Sequence, residues 1–218
     1  MTQIFSPAAD TWMRLFIVGG LALTAGALAA SIGFARSDYY TQSRIVPHQP
    51  VPFSHQHHVS GLGIDCRYCH TSVESSAHAG LPPTETCMTC HSQIWTNASI
   101  LAPERKSLIE NQSITWHRVA RLPEYVYFRH DIHIAKGVGC VTCHGRVDRM
   151  PLTYRAIPLT MGFCLDCHRD PGPNLRPRDR VTDMNWRPSD TSRQAAAERV
   201  AHAGIRLGEI THCYVCHR

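Results

Sequence analysis

All ten cysteines of this 218-residue chain fall in five Cys-x-x-Cys pairs, and a histidine follows every pair at once. The motifs are Cys66-Arg-Tyr-Cys69-His70, Cys87-Met-Thr-Cys90-His91, Cys140-Val-Thr-Cys143-His144, Cys164-Leu-Asp-Cys167-His168 and Cys213-Tyr-Val-Cys216-His217. Chance at this composition supplies about 0.03 copies of Cys-x-x-Cys-His, a pattern that reads as c-type haem attachment. Two cysteines on one helical turn each form a thioether to a haem vinyl group. The residue that follows projects over the ring and ligates iron as the proximal histidine. Zinc knuckles also use Cys-x-x-Cys pairs, but they do not require a histidine after each second cysteine. Thioredoxin-like pairs sit in an α/β pattern that is absent from this sequence. Short-range disulfides would leave five histidines coincidental. The expectation is five covalently bound haem c groups, with His70, His91, His144, His168 and His217 as proximal ligands.

A second pattern supplies the opposite axial position. Phe53-Ser-His55-Gln-His57-His58 precedes the first two motifs, and Phe128-Arg-His130-Asp-Ile-His133 precedes the third and fourth. Both read Phe-x-His-x-x-His. The displacement is 75 residues for the Phe and for each paired His, 74 for the first cysteine and 77 for the next motif. So constant an offset indicates an internal duplication. Each copy sets two imidazoles one helical turn apart on one face, with an aromatic ring to pack on porphyrin. His55, His58, His130 and His133 are therefore the expected distal ligands, whereas His57 points elsewhere. One iron is left over. Met161, Met184, His117 and His202 are its candidate ligands, and Met161 is preferred because a thioether would raise that haem's potential above bis-histidine centres.

Charged residues make up 18% of the chain, below the roughly 25% of an ordinary soluble domain. The formal net charge of +5 comes without a Lys/Arg run, which argues against nucleic-acid binding. Ten propionates would add up to about −10, so many of the 22 Lys and Arg are expected to be their partners.

Leu15 to Ala35 is 21 residues without a formal charge. As a helix it spans roughly 32 Å, enough for a hydrocarbon core of about 30 Å. Trp12 and Arg14 flank one end, and Arg36, Asp38, Tyr39 and Tyr40 the other, as interfacial anchors do. Ala27-Leu28-Ala29 resembles a peptidase site, yet the apolar run exceeds a signal core of about 7–15 residues. A retained single-pass anchor in the bacterial cytoplasmic membrane is expected. Ala22, Gly26 and Ala30 form a small-residue ladder on one face of it. Because c-type haem is attached outside that membrane, the rest of the chain should lie on the periplasmic side.

The expected organisation is an anchor at 1–36, a linker at 37–52, a first dihaem unit at 53–127, a second at 128–188, and a C-terminal helix with the fifth haem at 189–218. The fold class is a multihaem cytochrome c: one N-terminal transmembrane helix plus a haem-packed soluble domain of short helices and irregular chain with few strands. One helix is predicted from Pro103 to about Glu110, with proline in its first turn. Another, capped by Ser189 or Asp190, runs to about Ala203 before Gly204. Pro171 to Pro188, with four prolines and four arginines, reads as an extended connecting loop.

The chain as a whole resembles the pentahaem, membrane-anchored cytochrome c subunit of bacterial alternative complex III, the quinol-oxidising complex that replaces cytochrome bc1. The resemblance covers the anchor and nearly all of the soluble chain. It is carried by Phe53-x-His55-x-x-His58 leading into Gly63-Ile-Asp-Cys66, and by Tyr125-Val-Tyr-Phe128-x-His130 leading into Lys136-Gly-Val-Gly-Cys140. Met161-Gly-Phe-Cys164-Leu-Asp-Cys167-His168-Arg169 and the terminal Cys213-to-Arg218 motif complete it. Ala120 and Phe163 stand where relatives often have His and Trp, which could change the contacts around the fourth haem. What the resemblance implies is an electron wire without a catalytic residue of its own. Membrane and iron–sulfur subunits would oxidise quinol, and a monohaem cytochrome c subunit, soluble cytochrome c or blue-copper protein would accept the electrons. The alternative is a stand-alone quinol dehydrogenase of the NapC/NrfH type. That reading places a quinone pocket at the haem of Cys66 and Cys69, which follows the anchor most closely.

Overall fold

The computed structural model describes Ile4 and residues 6–217; Arg218, the last residue of the terminal motif, lies outside them. The chain divides into two compact units, Met1–Ser43 and Arg44–Arg218.

In the first unit the apolar run folds as α1 (Pro7–Arg36). Ser6 caps it by accepting from the Ala9 N–H, and a proline occupies the first turn. Asp10 pairs with Arg14 at 2.9 Å near the start. Thr24 and Ser31 donate to the carbonyls of Gly20 and Ala27, so the hydroxyls of the apolar stretch are satisfied within the helix. An 18-residue window within Ala8–Arg36 reaches a mean hydropathy of 2.1, and the helix is long and apolar enough to cross a membrane. Ser37 ends α1 and caps a single turn, α2 (Asp38–Thr41).

The second unit is a series of short helices. They are α3 (Cys66–Cys69), α4 (Thr84–His91), α5 (Ala102–Glu110), α6 (His130–Ala135), α7 (Cys140–His144), α8 (Met161–Arg169), α9 (Arg193–His202) and α10 (Cys213–Cys216). Gln56–Gly61 forms a widened π-helical turn. Among the described residues there is no strand; isolated antiparallel bridges join Val126 to His217 and Val138 to Leu175. All five attachment motifs thus lie on helical turns, as thioether geometry requires.

Two expectations change. The C-terminal helix is capped by Ser192, whose hydroxyl accepts from Ala195, while Asp190 instead accepts from the Ser192 N–H and shapes the approach. The 171–188 segment is more than a connection. It contributes Leu175, Val181 and Met184 to the small set of buried hydrophobic side chains among the described residues, with Val51, Leu101, Ile134 and Met150. It is also bonded to the third motif. Arg176 N–H donates to the Gly137 carbonyl, Cys140 N–H to Val181, and the Arg176 guanidinium lies over Trp186 at 5.0 Å. So few buried apolar residues cannot fill a unit of this length. Porphyrin rings would supply the missing apolar mass.

The Phe-x-His-x-x-His segments repeat in three dimensions. Phe53 lies 4.9 Å from His55 at 87° and 4.4 Å from His58 at 24°. Phe128 lies 4.7 Å from His130 at 89° and 4.5 Å from His133 at 30°. Each phenylalanine is therefore wedged between the two imidazoles of its own motif.

Candidate haem sites

Four pairs of imidazoles face one another. His55 opposes His70 with ring centroids 6.5 Å apart, His58 opposes His91 at 6.2 Å, His130 opposes His144 at 6.3 Å, and His133 opposes His168 at 6.1 Å. Two nitrogen–metal bonds of about 2.0 Å and two ring radii put imidazole centroids about 6.3 Å apart across one metal ion. Each gap is thus the width of a bis-histidine iron. Every pair joins one residue of a Cys-x-x-Cys-His motif to one of a Phe-x-His-x-x-His motif. The first histidine of each double motif meets the nearer attachment site, and the second meets the one beyond it. One helical turn so spans two metal positions.

The remaining ring nitrogens are anchored. Nδ1 of His58, His70, His130, His133 and His168 donates to the carbonyls of Ser54, Gly80, Ala77, Arg129 and Ile210 at 2.6–2.8 Å. His91 and His217 do the same to Ile94 at 3.4 Å and Tyr125 at 3.1 Å. A carbonyl can only accept, so the proton sits on Nδ1 and the Nε2 lone pair is left for a metal. The two repeats orient each other: His130 is held by Ala77 of the first, and His55 Nδ1 lies 2.8 Å from Thr153 Oγ1 of the second. Burial, then the neighbouring histidines, push His55 and His144 down to about 4, keeping both imidazoles neutral as ligands must be.

The attachment cysteines form a sequence of neighbours. The adjacent Cys140 side chain, with burial, pushes the Cys66 thiol up. Cys87 is raised by burial, Glu104 and Cys69. Cys143 is pushed up to about 12 by burial and by Cys167 and Cys164, and Cys164 is raised by burial and Cys216. In space the motifs therefore run second, first, third, fourth, fifth. None of the ten cysteines is in a disulfide. Among the described residues no three His, Cys, Asp or Glu side chains converge on a bare metal site.

At the fifth motif a cavity of about 340 Å³ is lined by Met161, His168, His212, Cys213, Cys216 and His217 among others. Met161 is 62% exposed at this cavity, whereas Met184 is a core side chain at 5%. His117 and His202 are not among the lining residues. Sequence reasoning passed over His212, which stacks on Tyr214 at 5.5 Å, and Trp95, which packs at 5.9 Å on His57 and 6.3 Å on His91. Trp95 holds a left-handed backbone at φ 55°, unusual for a bulky residue and without a signal in the sequence.

No family model matches the chain. Over 179 residues it is 28% identical to the multihaem cytochrome c subunit of menaquinone reductase from Nitratidesulfovibrio vulgaris (strain Hildenborough), covering 78% of this chain and 77% of that one. The architecture is the one expected for a multihaem cytochrome c, as that relative is: one apolar N-terminal helix, then short helices and irregular chain without a strand among the described residues. The imidazole planes of this chain differ from pair to pair: 10° for His55–His70 and His130–His144, 35° for His133–His168, and 64° for His58–His91. If the His58 and His91 rings both bound one haem iron, planes crossed at such an angle would leave its d-orbitals nearly degenerate. The electron paramagnetic resonance spectrum of the oxidised protein is therefore expected to contain one highly anisotropic low-spin signal. Replacing His58 by Ala should remove that signal alone.

Proposed function

We propose that this chain is a pentahaem electron conduit within a quinol-oxidising membrane complex of the alternative complex III type. The four opposed imidazole pairs carry the proposal, because each sets one imidazole of an attachment motif opposite one of a Phe-x-His-x-x-His motif. Haem, when bound, supplies one-electron chemistry, and the protein sets its potential through ligands, burial and hydrogen bonds. In this reading His55 and His70 hold the first haem, His58 and His91 the second, His130 and His144 the third, and His133 and His168 the fourth. His217 holds the fifth. Met161 is its distal ligand, since it shares the cavity of Cys213, Cys216 and His217.

The similarity to a menaquinone reductase subunit supports membership of a quinone-handling assembly with further subunits. The apolar α1 supports membrane attachment, with the haem-bearing residues on the periplasmic face. The neighbour order supports a through-going path with the second and fifth haems at its ends. A stand-alone dehydrogenase of the NapC/NrfH type would use the haem of Cys66 and Cys69 at the quinone. That site has neighbours on both sides here, which favours the conduit.

The test is to purify the haem-staining species after mild detergent extraction. Five haems per chain, in an assembly many times the mass of this chain, are expected. A small particle reduced by quinol alone would overturn the conduit in favour of the dehydrogenase.

A further inference from the structure

Glu104 is 4% exposed, and one of its carboxyl oxygens, Oε2, has no hydrogen-bond partner. It sits in the first turn of α5, which packs on α4, the helix that carries the second attachment motif. The two helices are joined by the buried Thr84–Ser107 hydroxyl pair at 2.6 Å. Thr84, Cys87 and His91 follow one another along one face of α4, so Glu104 is held against the face that presents Cys87 and His91. Its charge is felt by the Cys87 thiol. Nothing in the conduit reading uses it. A carboxyl with one oxygen unpartnered at this depth is costly as an anion, and native chains rarely keep one without a use.

We propose that Glu104 is the proton partner of the second haem: it takes one proton from solvent as one electron reduces that haem, and returns it when the electron passes on. The proposal rests on the haem assignment above and deepens it. The balance is one electron from the quinol-side donor and one proton from water on arrival, and loss of both on departure to the next haem. The coupling is electrostatic. A ferric porphyrin with two neutral imidazoles carries one net positive charge, and reduction removes it. The carboxylate beside it then loses a favourable neighbour, so its proton affinity rises on reduction and falls on oxidation. By linkage the haem is easier to reduce when the proton is present.

The net effect of the surroundings is to raise the proton affinity of this carboxyl. Burial raises its proton affinity, while its own backbone N–H, His91 and Arg105 oppose that. Of the other groups on the two helices, Glu85 lies in the first turn of α4. Cys87 is consumed as a thioether. Arg105 reaches the Ala98 carbonyl, and Lys106 pairs with Glu110. The Ser99–Leu101 turn before α5 carries no titratable side chain.

The test is a potentiometric titration of the haem-loaded membrane complex across about pH 5 to 9. The second haem is followed by its crossed-plane resonance signal, in wild type and in Glu104→Gln. In wild type, at fixed ambient potential, the reduced-to-oxidised ratio of that haem should fall by up to about tenfold per pH unit. In E104Q the dependence should vanish for that haem while the other four are unchanged. A flat wild-type profile, or a slope that survives in E104Q, overturns the proposal. So does the absence, in wild type, of a carboxylic C=O infrared band that changes with reduction; this measurement needs no variant. A haem count below five, or no crossed-plane signal, fails the haem assignment itself and is read on the same samples beforehand.

Discussion

If the chain holds the five haems proposed above, replacing His130 by alanine is expected to turn one of them high-spin while all five remain covalently attached. Attachment needs only Cys140 and Cys143, and the proximal imidazole of His144 is untouched. What disappears is the ring 6.3 Å across from His144, held there by its bond to the Ala77 carbonyl. An iron left with five ligands has a weaker ligand field and changes spin state. The effect should stay with the third haem, because His133, one turn along α6, faces His168 instead. His57→Ala is the control, since that ring packs on Trp95 and His58 and should leave every haem low-spin. Optical and resonance spectra of both variants decide the matter, and an unchanged spectrum for H130A would end the distal assignment.

Gly137→Ala is expected to lower stability more than any other small change in the second unit. Gly137 has φ +83°, and a Cβ there would collide with the backbone oxygen of Arg176. Backbone cannot swing aside as a side chain can. The substitution therefore combines left-handed strain with loss of the Arg176-to-Gly137 hydrogen bond and the Val138–Leu175 bridge. About 3 kcal/mol or more is expected, enough to detach the 171–188 segment with its three core residues from the third motif. Haem content should be normal, but the unfolding midpoint should drop and proteolysis within 171–188 should accelerate. Gly208→Ala, where a Cβ meets nothing within 4 Å, should be silent. Equal midpoints for the two variants would refute the account.

Much of this molecule is legible from residue types alone. The five motifs, the duplicated double-histidine segment and the apolar run each state their chemistry locally, because thioether attachment and membrane solvation depend on residues a few positions apart. The helix at Ala102–Glu110 was legible for the same reason. The 171–188 segment was not. Its prolines and arginines look like a linker, and only contact with the third motif makes Leu175, Val181 and Met184 a core. Met184 illustrates the limit well: as a residue type it stands beside Met161 as a candidate ligand, and only the structure puts it in the core and Met161 at the cavity of the fifth motif.

The pairing of ligands is a property of the chain path. His55 and His70 are 15 residues apart and His130 and His144 are 14, but His58 and His91 are 33 apart and His133 and His168 are 35. No local rule joins residues at such separations. The carbonyls that fix each Nδ1 belong to Gly80, Ala77 and Ile210, and a carbonyl carries no mark of its residue type. The neighbour order of the motifs departs from their order in the chain for the same reason. Residue type and spacing by themselves determined how many Cys-x-x-Cys-His motifs the chain carries and what bonds such motifs can make, since those bonds are local. Tertiary structure alone decided which imidazoles face each other, which motifs are neighbours, and that Glu104 lies buried beside the second, because these are long-range contacts set by packing.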